Sequence, residues 1–157
     1  MGHDYHATIR WARGDAAFTD GRYPRGHVWA FDGIEVPGSS APGSVRVPLS
    51  REDAVDPEEA LVAAASSCHM LFALDLARRG GFRVDSYEDA AVGEMTPNEK
   101  GKLFVSKITL TPVMVFSGDK LPTEADVAAL HHRAHEECYV AHSLRAEMII
   151  LPRFTLA

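Results

Sequence analysis

The chain has 157 residues, 46% of them apolar, with a formal net charge of −6 and a pI near 5.7. That is enough chain for one domain with a buried core, too apolar for a disordered protein, and too acidic to offer nucleic acid the basic face it needs. No apolar run approaches the ~20 residues of a membrane-spanning helix, and Met1 to Tyr5 carries neither part of a secretory signal. A cytoplasmic protein with no nucleic-acid or membrane partner is therefore expected.

In chain order, Tyr5, Ala7, Ile9 and Trp11 alternate with polar neighbours and predict a half-buried strand. Residues 14–24 are polar and turn-rich. His27 to Phe31 and Ile34 to Val36 predict two strands, and Asp32-Gly33 between them is a hairpin signal. A Gly/Ser/Pro-rich loop follows, and then Val45-Arg46-Val47, a further short strand.

The first helix has a sharp start. Asp56 can cap it, Pro57 suits the first turn, and Glu59 completes a capping box. It should run to Arg79, where Gly80-Gly81 stops it. Residues 60–74 hold almost no charge, so burial on most sides is expected. Val84 to Met95 and Lys102 to Phe116 predict a long antiparallel hairpin. A second helix, capped by Thr123 and Asp126, should carry Val127, Leu130, Ala134 and Cys138 on one face. Met148 to Leu151 predicts a final apolar strand. The order gives an α+β fold, a largely antiparallel sheet packed on two main helices.

Chemistry centres on two cysteines, Cys68 and Cys138, 70 residues apart. In a reducing compartment such a pair is catalytic, metal-binding or inert rather than a structural staple. The nucleophile is the thiolate, so a reactive Cys68 needs a cation nearby and an acid to orient that cation. Glu58 is the candidate acid, yet it lies ten residues from Cys68, roughly 15 Å along one helix. If both serve one site, a second copy of the chain must bring its Glu58 to this Cys68, which makes a homodimer.

The run Asp56-Pro57-Glu58-Glu59, the alanine-rich turn after it, and Cys68 resemble the signature helix of the OsmC/Ohr family of thiol peroxidases. The segment from Ala134 to Glu147, centred on Cys138, is similar to that family's second-cysteine motif. The resemblance covers most of the chain, and a single OsmC-like domain over residues 1–157 is expected. It implies an intertwined homodimer that reduces organic hydroperoxides and, less well, hydrogen peroxide. By the same resemblance Cys68 is the peroxidatic nucleophile, Cys138 resolves its sulfenic acid to a disulfide, and Glu58 orients an arginine. A dithiol reductant, lipoyl-type in some members, restores the thiols. No cofactor and no metal are required. Arg25, flanked by Tyr23, His27, Trp29 and Phe31, is the preferred arginine, and Arg46 is the alternative. Met70, Phe72, Trp29 and Phe31 are expected to supply an apolar entrance.

Two positions depart from the family pattern. Tyr139-Val140 follows the second cysteine where proline is common, and His69 follows Cys68 where an apolar residue is frequent. His69 should face away from Cys68, partly exposed or bonded to backbone. Two rival functions stay open. His131, His135 and Cys138 at helical spacing could hold a transition metal with Cys68, and the same fold could serve as a non-catalytic small-molecule-binding protein.

Overall fold

The structure is a computed structural model that describes residues 2–157. It contains two compact units, the first ending at Ala60 and the second spanning Leu61–Ala157.

In the first unit β1 (Thr8–Arg10), β2 (His27–Phe31) and β3 (Ile34–Gly38) form an antiparallel sheet in the order β1-β2-β3. The Asp32-Gly33 hairpin is present, with Gly33 at φ +78° as this tight turn requires. The strand expected over Tyr5–Trp11 shrinks to three residues, because β1 pairs only with Val28–Ala30. Trp11 turns away and donates its indole N–H to the carbonyl of Pro24 at 2.8 Å. The strand expected at Val45-Arg46-Val47 is a turn instead. Pro48 denies the ladder an N–H, and the Arg46 carbonyl accepts from Leu49 and Ser50.

Helix α1 (Pro57–Arg79) starts in the first unit and continues into the second. Its capping box is complete: the Glu59 N–H donates to Asp56 Oδ1 at 2.8 Å, and the Asp56 N–H to Glu59 Oε2 at 3.3 Å. It ends as expected at Gly80-Gly81, with Gly81 at φ +77° and the Phe82 N–H returning to the Ala77 carbonyl at 3.0 Å. Burial is narrower than the low charge implied. Only the stripe Ala65, His69, Ala73 and Ala77 is fully covered, while Leu71 is 61% exposed. The helix also averages a hydropathy of 1.6 over 18 residues, so by length and composition it could cross a membrane, contrary to expectation. Its serines and His69 interrupt the apolar run but are outweighed by the surrounding alanines and leucines.

The second unit continues with β4 (Arg83–Glu88), β5 (Val92–Pro97), β6 (Leu103–Leu110) and β7 (Val113–Ser117). Strands β5 and β6, and β4 and β7, pair antiparallel, with register shifts between Val84 and Ser86 and between Glu94 and Met95, so the expected long hairpin exists with a break in its middle. Asp89 fills the break. Its Oδ1 accepts the Thr111 N–H at 2.7 Å, and its Oδ2 accepts the Ser66 hydroxyl of α1 at 2.5 Å.

Next come α2 (Glu124–Glu137) and the short α3 (Tyr139–Ser143), then two terminal strands where one was expected, β8 (Glu147–Ile150) and β9 (Arg153–Leu156). These add parallel edges, giving sheets β5-β6-β8 and β4-β7-β9. One core cluster joins Ala73 and Ala77 of α1 to Met114 and Phe116 of β7 and to Val127, Leu130 and Ala134 of α2. A second joins Ala65 to Ile108 and Leu110 of β6. The result is an α+β protein with its sheets packed on helices.

Candidate active site

Cys68 sits mid-helix on α1, half-buried, and Cys138 is fully buried. Cys138 is not on the second helix as expected. It takes extended backbone angles (φ −70°, ψ 109°) and serves at once as the C-cap of α2 and the N-cap of α3. Its sulfur accepts the Ala141 N–H at 3.4 Å. Both thiols are free, and the fold brings them close enough for Cys68 to perturb Cys138. Burial, and then the neighbouring Cys68, push the Cys138 thiol up to about 11, with the backbone N–H groups of α3 opposing. Cys138 therefore keeps its proton at neutral pH. One thiol is open to a reagent, and a protonated partner is sealed behind it.

Glu58 and Arg25 both belong to the first unit. Within the first unit they line a cavity of about 500 Å³ whose apolar wall is Trp11, Phe18 and Tyr23. The three rings stack and tilt on one another at 4.6–6.0 Å between centroids. Arg25 lays its guanidinium on the Tyr23 ring, 3.7 Å from the centroid, and donates to the carbonyls of Gly21 and Tyr23. Among the described residues it forms no ion pair with Glu58. His27 braces the loop. Its Nε2 accepts the Trp29 indole N–H at 2.6 Å, so Nδ1 carries the proton and donates to the Arg25 carbonyl at 2.8 Å. A Cβ on Gly38 would fall 2.5 Å from that indole nitrogen, which is why β3 ends in glycine.

Arg46 is exposed on its turn and does not line the cavity. Trp29 and Phe31 do not line it either, contrary to expectation, because they lie on β2 stacked edge to face on each other. Phe72 is half-buried and meets the Tyr139 ring edge-on at 5.1 Å.

Sequence reasoning missed the partner of His69. The residue is 1% exposed, not partly open, and its Nε2 lies 2.9 Å from Nδ1 of His131, itself 2% exposed. The rings stack at 5.2 Å. Burial holds both imidazoles near a pKa of about 4. The charges of His131 and His135 push His69 further down, and Asp89 opposes them. The only sequence signal was a histidine on the apolar face shared by Val127, Leu130 and Ala134. This pairing also counts against the rival metal site: His131 is committed to His69, Cys138 has left the helix, and among the described residues no group of three donors could hold a metal.

The family model for OsmC-like proteins matches residues 50–151. The chain belongs to the OsmC family. A solved OsmC-like protein of unknown function from Vibrio cholerae is 46% identical, with a TM-score of 0.94 over 96% of this chain and 99% of that one. An organic hydroperoxide resistance protein from Elizabethkingia anophelis shares the fold at 14% identity and a TM-score of 0.71, covering 100% of this chain and 99% of its own. The organic hydroperoxide resistance protein OhrB of Bacillus subtilis does so at 16% and 0.62, covering 98% of each chain. No curated protein matches. This OsmC-family chain thus has a thiol pair in its second unit and an arginine–glutamate cavity in its first.

Proposed function

We propose that the protein is a thiol-dependent peroxidase that reduces organic hydroperoxides. One observation carries this reading: two thiols remote in the chain are neighbours in the fold, the first half-buried and the second buried and protonated. Family membership supports it, and so do fold relatives named for organic hydroperoxide resistance.

The Cys68 sulfur attacks the terminal peroxide oxygen. An S–O bond forms, the O–O bond breaks, and the leaving alkoxide takes up the thiol proton to become an alcohol. Cys138 then attacks the sulfenic acid. An S–S bond forms, and the hydroxyl leaves as water with the Cys138 proton. An external dithiol reduces the disulfide and is itself oxidised. Glu58 and Arg25 act on Cys68 from a second copy of the chain, because Glu58 stands about 15 Å along α1 from the Cys68 of its own chain. The working unit is therefore a homodimer, with Arg25 beside the thiolate and the aromatic wall beside the substrate's organic group. Free thiols of this kind suit a reducing, cytoplasmic setting.

The test is steady-state consumption of cumene hydroperoxide with dihydrolipoamide as reductant. Turnover lost in Cys68→Ser and strongly reduced in Arg25→Ala is the expected result. Wild-type protein that binds the hydroperoxide without consuming it would favour the second reading, a small-molecule-binding protein built around the aromatic cavity.

A further inference from the structure

The buried His69–His131 contact has no part in the peroxide chemistry above, yet its construction is specific. It joins α1 to α2, the two elements that carry or position the cysteines. Apart from His135, the seam around it is small or apolar: Ala73 and Ala77 on α1, Val127, Leu130 and Ala134 on α2. A stripe of alanines is a smooth groove. It favours close approach but sets the axial position of the facing helix only weakly, and a single buried polar contact is the best-attested device for fixing such a register. A slip of one helical turn moves a residue by about 5.4 Å, enough to take two cysteines outside the range of a disulfide. Cys138 lies at the C-terminal end of α2, seven residues beyond His131.

The hydrogen-bonding of the pair is incomplete in a telling way. His69 Nδ1 and His131 Nε2, the nitrogens facing away from the shared bond, are buried with no partner. Whichever ring donates the shared proton, one outer nitrogen is a bare N–H and the other a bare lone pair. The contact is kept despite that cost. We propose that His69 and His131 are positioning residues for the thiol pair, a neutral clasp that sets α2 on α1 so that Cys138 meets Cys68, and that protonation of the clasp releases it.

A charged clasp must be hydrated, and water reaches it only if α2 lifts from α1. The titratable groups around it are His135 from α2, Asp89 from the break between β4 and β5, and Tyr87 of β4, which senses Asp89. Of these only Asp89 favours the protonated form of His69. Its oxygens are already taken by Ser66 and Thr111, so it does not pair directly with the clasp.

The proposal rests on the thiol pair of the peroxidase reading, but its test uses no peroxide. Reduced protein is equilibrated with glutathione and glutathione disulfide, and the closure constant for the Cys68–Cys138 disulfide is read after acid quench and thiol labelling. Closure forms one protein disulfide and two glutathione thiols per glutathione disulfide consumed. His131→Phe fills the same space without the directional bond, and His131→Gln restores a donor and an acceptor.

The expected result is a closure constant at least ten-fold lower in His131→Phe at neutral pH, recovered in part by His131→Gln. The wild-type constant should fall as the pH drops below about 6 and stay level in His131→Phe. A folded His131→Phe with the wild-type constant and pH profile would overturn the proposal. Should His131→Phe not fold, the wild-type profile decides alone, and a level profile overturns it. Normal closure without hydroperoxide turnover would sink the peroxidase reading and leave the clasp standing.

Discussion

Acidification below about pH 6.5 should destabilise this protein. His69 and His131 are 1% and 2% exposed, and burial lowers both from 6.5 to about 4. An imidazole whose pKa is depressed by folding binds its proton first in the unfolded chain. The stability it contributes is therefore complete above the unfolded value of 6.5 and drains away as pH falls toward 4. At about 1.4 kcal/mol per pKa unit, one imidazole accounts for at most about 3–4 kcal/mol. The second adds less than the same again, because the two share a bond and titrate as a pair. Against a typical total of about 5–15 kcal/mol, that is a large share. The carboxylates of Asp53, Asp75 and Asp126 are held below 3.8 by their partners and stay silent in this window. Urea midpoints measured between about pH 7 and 4.5 should fall steadily in the wild type and by less in His131→Phe. A wild-type midpoint that is flat across that range would refute the assignment of a neutral buried pair.

Three other outcomes follow from particular contacts. Gly93→Ala places a Cβ 2.5 Å from Val62 Cγ2 on α1, an overpacking worth about 1–3 kcal/mol, and a thermal melt should show a drop of several degrees. Asp89→Asn removes one of two acceptors at the hairpin break, where Thr111 and Ser66 both donate. A loss of about 1–3 kcal/mol by denaturant unfolding is expected. Cys138→Ser should permit one stoichiometric hydroperoxide reduction, after which intact mass should show Cys68 advancing to sulfinic acid; normal multiple turnover would remove the resolving role.

Much of the fold was legible because its signals are local. Asp56, Pro57 and Glu59 announce the start of α1 within four residues, and Gly80-Gly81 announces its end. The hairpin turn was equally plain: Asn98 accepts from Lys100 and Lys102, and Gly101 takes φ +71°. What escaped depends on partners distant in sequence. Pro152 hides β9, which exists because β7 offers an edge. Val45-Arg46-Val47 looks like a strand until one asks what it could pair with. His69 reads as a surface residue until His131, 62 positions away, closes over it. Cys138 has the spacing of a helical residue but ends the helix, which frees its sulfur to cap α3 and face Cys68.

The most direct measurement is disulfide mapping by mass spectrometry after one equivalent of cumene hydroperoxide is added to reduced protein. The expected product is a chain that has lost both thiols and gained a Cys68–Cys138 link, with one alcohol formed per link. Two intact thiols alongside unconsumed hydroperoxide would contradict the peroxidase chemistry.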